Sequence, residues 1–371
     1  MRVHLTTCCS PRVKSVAVKE TSVVHVGDLH LNKLDRVFGD KALDYQFAEI
    51  RKPLDYAVEK GIKHVIFLGD IADKPRMTEE ALIRLVLLLR EYTDKGRVLH
   101  LIKGNHDVEN KERHSLRGLE DLCKAGMLPN VHIYTDPALV WIDGCPINFA
   151  PFPSTSAQAD ALNIGHFDTP GTIRDNGHVA PGDLPPARDQ WVIGHLHTPQ
   201  EGNRRHYAGT LYQLSRAEQR IKSFTVSRLK YDTKAKVGSR LTVRHQRVPV
   251  TPEFQFVNVE VVRLRDLDQV TDNPLHLHTV WVKSKVELPA TWLQQHPNVI
   301  DLIPYSNKKQ LKELQSTGIE KVDLELDKMF DQYVTDKFSL TPQELKFAQY
   351  TVNRYHGQIT KSTLSAIPPE G

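Results

Sequence analysis

Five short stretches of this chain carry side chains able to hold metal ions: Gly27-Asp28-Leu29-His30, Gly69-Asp70-Ile71-Ala72-Asp73, Gly104-Asn105-His106-Asp107, Gly165-His166 and Gly194-His195-Leu196-His197. Carboxylate, imidazole and amide oxygens without a thiolate suit Mn²⁺, Fe²⁺ or Zn²⁺, and the many histidines argue against Ca²⁺ or Mg²⁺ alone. Asp28 and His30, like His195 and His197, are two residues apart. In an extended chain that spacing points both side chains to one side. Two cations about 3.5 to 4 Å apart suit in-line displacement at phosphorus, where attacking and leaving oxygens both carry charge. A lone Gly-Asp or Gly-His is often only a turn. All of them in order predict a dinuclear centre that hydrolyses phosphate esters.

Each block follows an apolar run: Ser22 to Val26, His64 to Leu68, Val98 to Ile102, Ala161 to Ile164 and Gln190 to Ile193. A short apolar run closed by glycine reads as a strand ending in a tight turn. In open α/β sheets ligand sites gather beyond the carboxyl ends of the strands, so blocks distant in sequence can converge there. Asp44 to Lys60 reads as a crossover helix between the first two strands. Thr78 is placed to cap a second helix, Glu79 to Tyr92, with two glutamates in its first turn. That helix is apolar around most of its circumference, which fits either one face on the sheet and another against a second copy of the chain, or a deeply buried helix. His166 has few flanking landmarks, and His178 follows it in the Gly-, Pro- and Asp-rich loop Asp168 to Arg188. The apolar run before His166 favours it as the ligand, and the loop reads either as a gate to the site or as a long connection only. His25, alone in an apolar strand, reads as a hydrogen-bonded core residue.

With 371 residues and 40% hydrophobic content the chain can bury a sizeable core and divide into two or three units. Cys8, Cys9, Cys123 and Cys145 show no CxxC spacing, which fits a reducing compartment. No apolar run is long enough for a bilayer, and Arg2, His4, Arg12, Lys14 and Lys19 break up any signal-peptide core. A soluble cytoplasmic protein with no membrane association is the expectation. The net charge of +4 hides an asymmetry, because Asn203 to Arg247 holds 12 basic residues against Glu218 and Asp232. Following directly on His197, this stretch could hold a polyanion, with Arg204, Arg205, Arg216 and Arg220 nearest in sequence. It also reads as a solvated hairpin, since Phe224 to Ser227 and Leu241 to Val243 look like strands.

The blocks resemble the calcineurin-like metallophosphoesterases over roughly residues 22–215. The resemblance implies an α/β fold of two mixed β-sheets sandwiched between helices. It implies that Asp28, His30, Asp70 and His197 surround one cation and that Asp70, Asn105, His166 and His195 hold the other. His106 would then assist the leaving oxygen, and the Asp73 carboxylate would orient its imidazole. A histidine held by a carboxylate is suited to that acid role.

Two further stretches narrow the resemblance. The segment Gly209-Thr210-Leu211-Tyr212-Gln213-Leu214-Ser215, soon after the Gly-His-x-His block, is similar to the SbcD nuclease subunits, counterparts of the Mre/Rad double-strand-break nuclease. So is Val24-His25-Val26-Gly27-Asp28-Leu29-His30-Leu31. That likeness implies a catalytic domain over residues 1–250, a small α+β DNA-binding cap over 251–305, and a C-terminal helical segment over 306–371 that binds an SMC- or ABC-type ATPase. In the cap, Phe254 to Arg263 and His278 to Val286 read as strands and Thr291-Trp292-Leu293 as the start of a helix. Beyond it, Ser306 to Gln315, Leu324 to Phe338 and Pro342 to Tyr355 read as helices. The implied activity is a Mn²⁺-dependent DNA exo- or endonuclease acting at ends or hairpins in recombination, repair or replication. The alternative is a small-nucleotide phosphodiesterase or a phosphoprotein phosphatase of the same fold.

Overall fold

Each of the five apolar runs forms a strand that ends at its polar block. The computed structural model describes residues 18–110, 113–174, 177–182, 189–218, 221–284 and 292–303. The first half of the chain runs β1 (Val18–Val26), α1 (Asp35–Phe38), α2 (Ala42–Glu59), β2 (His64–Phe67), α3 (Glu79–Asp94), β3 (Val98–Ile102), α4 (Arg117–Lys124) and β4 (Val131–Tyr134). It continues with β5 (Ala138–Ile142), β6 (Cys145–Ala150), β7 (Leu162–His166), β8 (Gln190–Gly194), β9 (Gln200–Gly202), β10 (Arg205–Tyr207), β11 (Lys222–Asp232) and β12 (Leu241–Val250). A last group comprises β13 (Gln255–Val261), β14 (His276–Val282), α5 (Trp292–Gln295) and β15 (Val299–Ile303).

Two six-stranded mixed sheets result, ordered β12-β11-β1-β2-β3-β4 and β5-β6-β7-β8-β10-β9. The strands β1 to β4 are parallel, with Val24, Val65, Leu99 and Val131 side by side. The second half of β1 and all of β2 and β3 are buried on both faces, which is why they read as continuous apolar runs. Val24, Val26, Val65, Phe67, Leu99 and Leu101 face the core shared with α2 and α3. Val23, Ile66, Leu68 and Ile102 face Ile147, Phe149, Ile164 and Val192 of the second sheet. Among the described residues, the outer side of that second sheet carries a small cluster around Trp191, Ile193 and Tyr207, to which no described helix contributes. The Thr78 hydroxyl accepts from the Ala81 N–H at 3.2 Å, as its reading as a helix cap requires.

The third sheet, β13-β14-β15, is parallel throughout. It has its own core of Val259, Val261, Val270, Val280 and Trp292. Phe254, Phe256 and Leu277 pack into the main core, fixing the base of this sheet to the catalytic body. The readings placed on residues 1–17, on Arg220, on part of the 168–188 loop and on 306–371 lie outside the described residues. Among the described residues, no helix is long and apolar enough to cross a membrane.

Candidate metal centre

The carboxyl ends of β1, β2, β3, β7 and β8 deliver the five blocks to one place. Three overlapping groups have ligand atoms within 4.8 Å of one another: Asp28, His30 and His197; His30, Asp70 and His106; and Asp70, His166 and His195. Asp70 shares a group with His30 and another with His166, at 3.5 Å and 3.2 Å. Asn105 Oδ1 lies 2.9 Å from both His166 Nε2 and His195 Nδ1. His178, the alternative to His166, is exposed and belongs to none of these groups.

The backbone is bent to bring these donors inward. His30, Asp70 and His195 have φ of 44°, 46° and 79°, left-handed values that cost non-glycine residues about 1–3 kcal/mol. Neighbouring hydrogen bonds hold them there. The Asp70 carbonyl accepts from the Leu29 and His30 N–H groups at 3.0 and 2.9 Å. The Asp28 carboxylate accepts from the His195 N–H at 3.0 Å. Gln46, buried in α2, donates to the carbonyls of Leu29 and His30 and to the Tyr212 hydroxyl, while Tyr212 also donates to Leu29.

The donor set fits divalent cations. Asp28, His30, Asp70 and His166 are no more than 1% exposed, and both ring nitrogens of His30 and one oxygen of Asp28 make no hydrogen bond. Buried polar atoms without partners are costly, so such a set calls for a charge at its centre. The imidazoles are oriented from behind, with His166 Nδ1 2.7 Å from the Leu68 carbonyl and His197 Nδ1 3.0 Å from Glu218. Burial opposes charge on His166, but the Asp70 and Asp28 carboxylates outweigh it and push the imidazole up to about 10. Burial likewise resists ionisation of Asp70, yet His166, His30 and His106 hold its carboxyl well below the usual carboxylate range.

His106 and Asp73 meet, but not as expected. His106 Nδ1 donates to the Asp73 backbone carbonyl at 2.9 Å. The Asp73 carboxylate instead lies 2.9 Å from Lys33 Nζ and 3.4 Å from His30 Nδ1. Despite partial burial, His30 and Lys33 hold Asp73 at about 2. Asp107, which follows His106, clamps two loops together: its carboxylate accepts from the Ile71, Ala72 and Gly104 N–H groups and the Ser115 hydroxyl. Glu218 and Asp107 were not singled out from the sequence. Asp107 is the closing residue of a ligand block, but Glu218 is one acid among basic neighbours.

The basic stretch does not line the centre as a whole. The strand β11 pairs antiparallel with β1, so Asp232 lies opposite Val18 and Thr225 opposite His25. Lys234 and Lys236 at the tip therefore stand about 30 Å from Asp28, counting nine residues of extended chain. Arg205 pairs with Trp191, near the start of β8 and away from the end that carries His195. Arg204 is at the adjoining turn, its carbonyl accepting from the Trp191 N–H. Arg216 is exposed and closer to the centre, two residues before Glu218, and its carbonyl accepts from Asn258 of β13. Lys222 is buried against Glu218.

Two characterised proteins are similar to this chain. Exonuclease subunit 1 of Enterobacteria phage T4 is 28% identical over 219 residues, 53% of this chain and 61% of that protein. DNA double-strand break repair protein Mre11 of Aeropyrum pernix is 23% identical over 207 residues, 48% of this chain and 49% of that protein. The matched region thus spans less than two thirds of the length of either relative. The calcineurin-like phosphoesterase sequence pattern covers residues 21–226, more than half of the chain and all five ligand blocks, and the chain belongs to that family.

Proposed function

We propose that this chain is a divalent-cation-dependent nuclease that hydrolyses phosphodiester bonds of DNA at ends or hairpins, with Mn²⁺ as its working cation. The convergence of Asp28, His30, Asp70, Asn105, His166, His195 and His197, with His106 beside them, carries this reading. Asp28, His30, Asp70 and His197 would hold one cation and Asp70, Asn105, His166 and His195 the other. When bound, the cations supply Lewis-acid activation of the phosphodiester and of the attacking water. His106, with Nδ1–H fixed on the Asp73 carbonyl, would act as an imidazolium whose Nε2 proton passes to the leaving oxygen, leaving the neutral ring.

DNA is favoured over a small nucleotide or a phosphoprotein by two observations. The relatives are by name an exonuclease subunit and a double-strand break repair protein. The β13-β14-β15 sheet is hydrogen-bonded to the segment after His197 through Arg216 and Gln213, and a small-molecule enzyme has no need of it. This sheet is proposed as a DNA-binding cap, with Arg216 on the DNA backbone. An SMC- or ABC-type ATPase engaged by residues 306–371 is the proposed partner, in recombination, repair or replication in the cytoplasm. A homodimer is proposed through α3, where Ile83 and Leu87 are 59% and 61% exposed.

Cleavage of a linear duplex and of bis-p-nitrophenyl phosphate with Mn²⁺ tests the reading. The wild type is expected to cleave both, and His106→Ser to lose about 10²- to 10⁴-fold in rate while retaining its cations. Cleavage of the small diester alone, with the ATPase partner present, would overturn the nuclease reading.

A further inference from the structure

Glu218 is a buried carboxylate outside the donor set, yet it grips one of the ligands. Its Oε1 lies 3.0 Å from His197 Nδ1, while Oε2 accepts from the Leu214 N–H at 3.1 Å and from Lys222 Nζ at 2.8 Å. Lys222 is 1% exposed and also donates to the Thr210 hydroxyl at 2.8 Å. The Thr210 N–H donates in turn to the His197 carbonyl at 3.1 Å. One short segment therefore holds both the ring and the backbone of His197.

A buried ion pair alone would require only Glu218 and Lys222, each compensating the other's desolvation. Here the second carboxylate oxygen is committed to His197 Nδ1, which leaves Nε2 toward Asp28 Oδ2 at 3.7 Å. His166 is held in the same sense by a neutral carbonyl, that of Leu68. A charged acceptor grips an imidazole harder and makes its other nitrogen a better donor to a cation. Gln213 extends the grip: its Nε2 donates to the Glu218 carbonyl and its Oε1 accepts from the Phe256 N–H of β13, each at 3.0 Å.

We infer that Glu218 is a positioning residue that fixes His197 for the Asp28 half of the centre and sets the cation affinity of that half alone. The inference rests on the two-cation reading above. Calorimetric titration of the cation-free chain, residues 1–371, with Mn²⁺ separates the two. The wild type is expected to take up two Mn²⁺. Glu218→Gln should weaken one dissociation constant about 10- to 100-fold and leave the other within about twofold. Combining Glu218→Gln with His197→Ala should add no further loss, because Glu218 acts through that ring. A wild-type chain that binds fewer than two Mn²⁺ overturns the two-cation reading. A wild type with two, beside a Glu218→Gln chain with both constants unchanged or both equally weakened, overturns the positioning role alone. If Glu218→Gln does not fold, nitrogen NMR of the Zn²⁺-loaded wild type decides. A proton on His197 Nδ1 supports the role, and a proton on Nε2 contradicts it.

Discussion

His106 Nδ1 lies 2.9 Å from the Asp73 carbonyl oxygen, whereas the Asp73 carboxylate turns away to Lys33 and His30. The two groups of Asp73 thus serve different neighbours. Asp73→Asn keeps the carbonyl and so keeps His106 in place, but loosens His30. It should weaken Mn²⁺ binding about tenfold while leaving kcat at saturating Mn²⁺ close to wild type. His106→Ser should do the reverse, and kinetics on bis-p-nitrophenyl phosphate at several Mn²⁺ concentrations will separate the two. Equal kcat losses would return the orienting role to the carboxylate.

Asp107 joins the Asp70 loop to the Gly104-Asn105-His106 loop through four accepted hydrogen bonds at 2.6 to 3.2 Å. Asp107→Ala strands three buried backbone N–H groups, and each costs about 1–3 kcal/mol when unsatisfied. Urea unfolding of the cation-free chain should show a loss of about 3 kcal/mol or more. A loss under about 1 kcal/mol would mean that water or a rearranged loop takes over these donors.

Gly104 has no room for a side chain, since a Cβ there would meet Asp70 Oδ1 at 2.2 Å and Asp70 N at 2.3 Å. Gly104→Ala must therefore displace the shared ligand. It should weaken both Mn²⁺ constants about tenfold or more, unlike Glu218→Gln, although no donor atom is removed. Wild-type Mn²⁺ binding by Gly104→Ala would show that Asp70 is not the shared residue.

Burial holds His100 and His206 down at about 3 and His245 at about 4, all remote from the ligands. They stay neutral in the folded protein, whereas in the unfolded chain they protonate near pH 6.5. Below that pH the unfolded state binds more protons, so stability falls as pH drops from about 6.5 toward 3 to 4. Each contributes a slope of up to about 1.4 kcal/mol per pH unit. In the cation-free chain His166 has the opposite sign: its contribution is complete below pH 6.5 and is lost only as pH rises toward about 10. Urea midpoints between pH 7 and 5 should decline, and His206→Gln should remove about a third of the slope from these three. A flat midpoint over that range would contradict the neutral assignment.

The five strands that carry the ligand blocks were legible because burial on both faces leaves unbroken apolar runs, each closed near a glycine, whereas β4, β5, β6, β9 and β10 were not read. The seven ligand candidates were legible because their types and order repeat that pattern. The role of Asp73 was not, since whether a residue offers its carboxylate or its carbonyl depends on backbone conformation that residue type does not reveal. Glu218 was hidden because burial of one acid among arginines and lysines leaves no pattern. The basic stretch is spread for a topological reason: antiparallel pairing of β11 with β1 carries Arg228 to Lys236 away from His197, and β12 brings Arg247 back level with His25. The short strand β15, with Asp301 at its centre, lacks the apolar alternation that identified β13 and β14.

Anomalous scattering from crystals of the Mn²⁺-loaded chain tests the central assignment most directly. Two peaks are predicted, one contacting Asp28, His30 and His197 and the other Asn105, His166 and His195, with Asp70 touching both and His106 touching neither. A single peak, or a peak liganded by His106, would contradict it.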